Sequence, residues 1–170
     1  MKKAALRSLM RTRLAALSEA EKAAASAQIV TSLSDALRDE EGPIGLFAAL
    51  QTEPDLLSLL AENGKTFCLP RVSGGEMTFH AVTHRNELIP GAFGILEPAA
   101  TAASVVPGLI VCPGFAFTRS GARLGKGGGF YDRYLAKHPA RTIGVCFSCQ
   151  VVEDLPCEPH DQAVEALIDA

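Results

Sequence analysis

The chain's 170 residues, 48% hydrophobic and 21% charged, suit one domain with a continuous buried core and exclude a disordered chain. A net charge of −3 gives no overall attraction to nucleic acid or acidic membranes, so any anion binding must be local. The five cysteines are odd in number, and Cys68, Cys112 and Cys146 sit inside apolar runs, which fits a reduced cytoplasmic protein better than a disulfide framework.

Arg7, Arg11 and Arg13 interrupt the basic amino-terminal segment before it can supply the apolar core of a signal peptide. No run approaches the roughly 18 apolar residues of a membrane span, so neither a membrane nor a nucleic acid is expected as a partner. Leu6, Leu9, Met10, Leu14 and Leu17 recur at helical spacing and predict a helix over 2–17. Lys3, Arg7 and Arg11 share another face of it, where like charges repel unless solvated or given an anion; by pattern alone, a solvated face is the simpler reading. Ser18 and Glu21 form a capping-box pattern that opens a second helix over about 19–39, with Ala23, Ala27, Val30, Leu33 and Leu37 turned to a sheet.

Residues 44–50 read as a first buried strand, and Pro54 as the first turn of a helix through 62. Glu53 lies where a strand's carboxyl end feeds a helix, the place where ligands collect in open α/β sheets, although an acid there also suits a helix N-terminus. Residues 66–71 and 77–82 read as strands joined by a hairpin at Ser73-Gly74-Gly75. His80 and His84, with no carboxylate at an evident spacing, are expected at the surface. The Pro- and Ala-rich stretch 86–107 predicts a loop. Beyond it come a buried strand at 109–112, a helix at 130–137, a strand at 142–147, a connection at 150–155 and a last strand at 163–168. Strands alternating with helices predict an α/β fold: a single three-layer domain over 1–170 with a mainly parallel sheet.

The most unusual stretch runs from Cys112 to Tyr134 and reads CPGFAFTRSGARLGKGGGFYDRY. Gly121, Gly125, Gly127, Gly128 and Gly129 free the backbone to take positive φ and bring N–H groups close to a ligand, while Arg123 and Lys126 add charge. The following helix would aim its positive end at the same point, completing an anion cradle. The spacing is neither that of a Walker A loop nor that of a dinucleotide fingerprint, whose third glycine would fall at Phe130. By composition alone, a mobile surface connection fits equally well. Cys146 and Cys149 have C-x-x-C spacing with His160 downstream, but a four-ligand zinc site needs a second close pair that the chain lacks.

Together with CPGFAF before it, and Gln150, Leu155-Pro156 and His160-Asp161 after it, RLGKGGGFYDRYL resembles the signature of the 5-formyltetrahydrofolate cyclo-ligase family, also called 5,10-methenyltetrahydrofolate synthetases. The resemblance runs from Lys3 to Ile168 and is most specific over 112–161. It implies a fold similar to the ribose-phosphate isomerase and coenzyme A transferase group, and ATP-driven closure of 5-formyltetrahydrofolate to 5,10-methenyltetrahydrofolate with release of ADP and phosphate. It also implies site residues. Lys3 and Arg7, within a K-x-x-L-R element, would contact ATP, as would Arg123, Leu124, Gly125, Lys126, Gly127, Gly128, Gly129, Phe130 and Tyr131. Glu53 and Ala48 would contact the folate, and Asp132 and Asp161 would hold Mg²⁺. Arg123 and Lys126 would stabilise charge on the transferred phosphoryl group, with Lys126 at a position whose character varies in the family. The segment from Gly94 to Pro98 resembles the family's G-I-x-E-P element, where Glu97 reads as well as a structural acid as a cleft residue.

The expected partners are these two small molecules, and the expected state is a monomer. Two other readings stay open at this point: a folate- or nucleotide-binding protein without turnover, and a sugar-phosphate isomerase of the same fold group, which would need a catalytic base and no ATP.

Overall fold

In the computed structural model, residues 2–62, 64–91 and 94–170 are described. Helix α1 (Lys3–Ala15) buries Leu6, Met10 and Leu14 and leaves Leu9 at the surface. Helix α2 (Glu19–Ala36) opens on the expected capping box, in which the Ser18 hydroxyl accepts from the Glu21 N–H and the Glu21 carboxylate accepts from the Ser18 N–H. Its buried stripe is Ser26, Ile29, Leu33 and Leu37, whereas the predicted Ala23 and Ala27 are exposed. An alanine-rich helix is weakly apolar all round, so the larger Ile29 decides which face turns inward.

Seven strands form the main sheet in the order β11-β10-β7-β1-β2-β3-β6. They are β1 (Pro43–Gly45), β2 (Thr66–Ser73), β3 (Glu76–Val82), β6 (Ser104–Val105), β7 (Leu109–Cys112), β10 (Arg141–Cys146) and β11 (Ala166–Asp169). The pairs β1/β2, β1/β7, β7/β10 and β10/β11 are parallel, while β2/β3 and β3/β6 are antiparallel. The sheet is therefore mainly parallel, as expected. The β2–β3 hairpin turns on Gly74 and Gly75, whose φ values of +58° and +81° are those a tight two-residue turn requires.

Alternation along the strands builds two cores. Phe67, Leu69, Leu109, Val111, Ile143 and Val145 point to one face, against Ile29, Leu33 and Leu37 of α2. Cys68, Phe79, Ile110, Cys112 and Cys146 point to the other, against Tyr134 and Leu135 of helix α3 (Phe130–Lys137). Helix α1 packs its stripe on Phe115, Ala116, Leu124 and Phe147 beside the short pair β8 (Ala116–Phe117) and β9 (Arg123–Leu124).

Several expectations give way. The first strand stops at Gly45, with Leu46 donating one more bond to the Cys68 carbonyl, because the chain then leaves the sheet to line a cavity. The helix expected from Pro54 is a 3-10 turn at Leu57–Ala61, opened by Asp55 Oδ1 accepting from the Leu57 N–H at 3.0 Å. Leu56, Leu57, Leu59 and Leu60 are all buried there. The stretch 86–107 is not merely loop: β4 (Leu88–Pro90) pairs with β5 (Leu96–Pro98), and β6 joins the main sheet; residues 92 and 93 of that stretch lie outside the described residues. The last strand begins at Ala166; just before it the Val164 N–H donates to the Gly121 carbonyl and the Glu165 N–H to the Thr142 carbonyl. His80 is buried rather than at the surface: its Nδ1 lies 2.8 Å from the Ala102 carbonyl and its Nε2 2.9 Å from the Thr78 hydroxyl.

Candidate active site

Strands β1 and β7 are parallel neighbours, and from β1 the sheet grows in one direction through β2 and in the other through β7 and β10. Ligands collect beyond the carboxyl ends of strands at such a reversal. Here the chain leaving β1 supplies Phe47, Ala48, Leu50 and Glu53, and the chain leaving β7 supplies Pro113, Gly114 and then the glycine-rich loop. Between them lies a cavity of about 150 Å³, whose walls are completed by Pro70, Val72, Met77 and Glu97.

Glu53 is almost fully enclosed in this wall. One of its oxygens accepts from the Leu50 N–H at 2.8 Å, and the other lies 2.5 Å from Lys126 Nζ. The ammonium of Lys126 also lies 5.8 Å from the centre of the Phe115 ring. Arg123, with 3% of its side chain exposed, donates from Nη2 to Asp132 Oδ1 at 2.7 Å. Its guanidinium stands 5.6 Å from the centre of the Tyr131 ring, and its Nε is buried with no hydrogen-bond partner among the described residues. A buried donor of that kind is uncommon in a closed structure and calls for an acceptor. Burial, reinforced by the neighbouring Cys112 and Glu53, pushes the Tyr131 phenol well above its ordinary value of 10.0, so it stays a protonated donor.

The loop works through its backbone. Gly127 and Gly129 have φ values of +110° and +64°, and Gly129 directly precedes α3, whose first turn carries Asp132. Arg7 of α1 donates from Nε to the Gly125 carbonyl at 2.9 Å, and its guanidinium lies against Gly127. Lys3, one turn earlier, pairs with Asp161 at 2.7 Å and with Glu158 at 2.7 Å. The Gln162 N–H donates to Asp132 Oδ1 at 3.0 Å, which ties the 158–162 turn to the start of α3.

The residues singled out from the sequence thus fall into two groups. Ala48, Glu53, Arg123, Gly125, Lys126, Gly128, Gly129, Phe130, Tyr131 and Asp132 line the cavity. Lys3, Arg7, Gly127 and Asp161 lie outside its lining, around the outer side of the loop and the 158–161 turn. The Leu124 side chain is in neither: it is buried with Leu6, Met10 and Phe115, and its carbonyl accepts from the Phe115 N–H at 2.7 Å. Among the described residues, Asp161, Glu158 and His160 bring donor atoms within 4.8 Å of one another, a set without Asp132. Cys146 is buried and its thiol is pushed up to about 12 by burial, far from the thiolate that zinc requires. Glu97 completes the cavity and was left undecided by sequence; its signal was the G-I-x-E-P likeness.

The profile of the 5-formyltetrahydrofolate cyclo-ligase family matches residues 1–169. The 5-formyltetrahydrofolate cyclo-ligase of Escherichia coli K12 is 34% identical over 129 residues, which cover 70% of each chain. The solved structure of the 5,10-methenyltetrahydrofolate synthetase of Aquifex aeolicus superimposes with a TM-score of 0.87 at 32% identity, covering 99% of this chain and 90% of that one. A 5,10-methenyltetrahydrofolate synthetase from Mycoplasma pneumoniae shares the fold at 23% identity, with a TM-score of 0.79 over 99% of this chain and 98% of that one. With its parallel sheet, its glycine-rich loop and this full-length match, the chain belongs to the 5-formyltetrahydrofolate cyclo-ligase family.

Proposed function

We propose that the cavity and the outer side of the loop are the two substrate positions of an ATP-dependent cyclisation of 5-formyltetrahydrofolate to 5,10-methenyltetrahydrofolate. The observation that carries this reading is the division made by one loop: Lys126 reaches inward to Glu53, while Gly125 and Gly127 meet Arg7 on the other side. The interior, with Ala48, Glu53 and apolar walls, suits a flat reduced pterin. The outer side, with Lys3 and Arg7 beside the glycine-rich loop, suits a triphosphate.

A formyl oxygen on N5 is a poor leaving group. Transfer of the γ-phosphoryl group to it breaks the bond from that phosphorus to the β-bridging oxygen and releases ADP. N10 then attacks the formyl carbon and loses its proton, and the C–O bond breaks with departure of phosphate. No side-chain nucleophile is needed, and the chain's part is positioning and neutralisation of charge. Arg123, held by Asp132, faces the cavity beside the loop and neutralises charge on the transferring group, with Lys126 contributing once it leaves Glu53. Tyr131 donates a hydrogen bond or packs on a ring.

Asp132 and Asp161 are the residues that would hold Mg²⁺: their hard carboxylate oxygens lie beside the glycine-rich loop, and Asp161 would be free for it once Lys3 turns to phosphate. Among the described residues both bonds to Asp132 fall on Oδ1, and Gln162 keeps the two aspartates' segments together. When bound, the ion supplies charge neutralisation on the phosphate oxygens. A single domain acting as a monomer in the cytoplasm suffices, because both substrate positions are built from one chain; among the described residues no helix is long and apolar enough to cross a membrane.

The test mixes the protein, Mg²⁺ and 5-formyltetrahydrofolate with and without ATP and follows the methenyl absorbance. An ATP-dependent rise is expected. A flat trace in which both ligands bind would instead support a binding protein without turnover.

A further inference from the structure

Glu97 is 4% exposed, yet it lines the cavity. Strand β5 carries it, and β5 packs against β2 on the side where Val72 also enters the cavity wall. Its carboxylate is held only loosely among the described residues. The Val72 N–H donates to Oε1 at 3.3 Å, and Arg71 Nη1 stands 3.7 Å from Oε2 while donating its closer bond, 2.9 Å, to the Pro98 carbonyl. A carboxylate has about four acceptor positions, and a buried one normally fills them with short bonds. Glu53, the other acid in the cavity wall, is by contrast engaged at 2.8 and 2.5 Å.

The surroundings are shaped to admit this carboxyl group. A Cβ at Gly91 would fall 2.3 Å from Glu97 Cδ, so the backbone at the end of β4 passes over it only because residue 91 has no side chain. We infer that Glu97 is a second substrate-binding acceptor, which takes the N–H donors on the edge of the reduced pterin. This rests on the cavity being the folate position. A carboxylate accepts and does not donate, and it repels phosphate, so a triphosphate is not its partner. A reduced pterin offers an amino group and ring N–H groups in one plane, two of which can meet one carboxylate side by side.

The experiment measures KM for 5-formyltetrahydrofolate and for ATP in wild type, Glu97→Gln, Glu97→Leu and Gly91→Ala, with thermal denaturation alongside. The carboxamide of Gln keeps one acceptor oxygen but turns its NH2 toward the second donor, whereas Leu leaves both of the substrate's donors unpaired, a loss of about tenfold to a hundredfold in binding. The expected result is that Glu97→Leu raises the folate KM by that factor, Glu97→Gln raises it as well because one donor then faces an NH2, and neither moves the ATP KM. Gly91→Ala, which displaces the carboxyl group without removing it, raises the folate KM too and decides the matter if the Leu variant does not fold. A folate KM unchanged in Glu97→Leu or Gly91→Ala overturns the inference, and so do folate and ATP KM values that rise together with a lowered denaturation midpoint, the pattern of a purely structural ion pair with Arg71. Wild-type protein that does not cyclise 5-formyltetrahydrofolate removes the inference together with the reading it rests on.

Discussion

Lys126 Nζ lies 2.5 Å from Glu53 Oε1, so the glycine-rich loop is fastened in the cavity wall to the segment that follows β1. The cavity, about 150 Å³, is below the ~300 Å³ at which ligand pockets begin, and under the proposed reading the Lys126–Glu53 pair opens to admit a pterin. Lys126 is about one-third exposed, whereas Arg123 is buried against Asp132. Replacing Lys126 by Ala therefore lowers turnover by less than about tenfold, while Arg123→Ala or Asp132→Ala lowers it by about a hundredfold or more, the usual loss of a preorganised charge partner. Steady-state kcat of the three variants checks this; a Lys126→Ala loss as large as the others counts against it.

The loop's glycines differ in what they permit. Gly121 has φ +93°, and a Cβ there would fall 2.2 Å from the Val164 carbonyl oxygen, a backbone atom that cannot swing away. Gly127 has φ +110°, but its nearest neighbour is the Arg7 side chain at 3.8 Å. Both Ala substitutions carry the left-handed strain of about 1–3 kcal/mol, and only Gly121→Ala adds a clash. Urea denaturation should show Gly121→Ala as clearly the less stable variant; equal stabilities would contradict the reading.

The contact between α1 and the 158–161 turn is sensitive to acid. Burial pushes the Asp161 carboxyl upward, but the hydrogen bonds from Lys3 and from the Glu158 N–H, with the Lys3 charge, outweigh it and leave it below its ordinary value of 3.8. A carboxyl whose folded value is depressed contributes stability that is fully present above the unfolded value and is lost as pH falls through the folded one. Wild type should therefore lose stability below about pH 4 more steeply than Lys3→Ala. Denaturation midpoints between pH 3 and 6 check this, and parallel curves for the two proteins would refute it.

Burial pushes the thiols of Cys68, Cys112 and Cys146 up to about 12, whereas Cys157 is exposed. At pH 7.5 a thiol reagent should modify Cys157 within minutes and leave those three untouched until the protein unfolds, because the thiolate is the reactive form. Rapid modification of Cys112 in the folded protein would mean that the core beneath α3 opens.

Much of this architecture is readable from local chemistry. Ser18 with Glu21, Gly74 with Gly75, and the glycines before Phe130 each mark a boundary that short-range bonding enforces. What escapes is set by contacts between distant segments. The Ala-rich face of α2 gives no decisive stripe until Ile29 and Leu33 meet the sheet, and His80 looks like a surface residue until Ala102 is brought beside it. The loop's charge is legible, but its division of labour is not. Nothing local says that Lys126 turns inward to Glu53, that Leu124 turns into the core beneath α1, or that Asp132 spends one oxygen on Arg123 and Gln162.

The central claim, that one loop separates a folate position inside from a nucleotide position outside, is tested most directly by measuring both KM values in Glu53→Gln and Arg7→Ala. The account predicts a crossed pattern: Glu53→Gln raises the KM for 5-formyltetrahydrofolate by about tenfold with ATP unaffected, and Arg7→Ala does the reverse. Both substrates weakened together in both variants would contradict the separation.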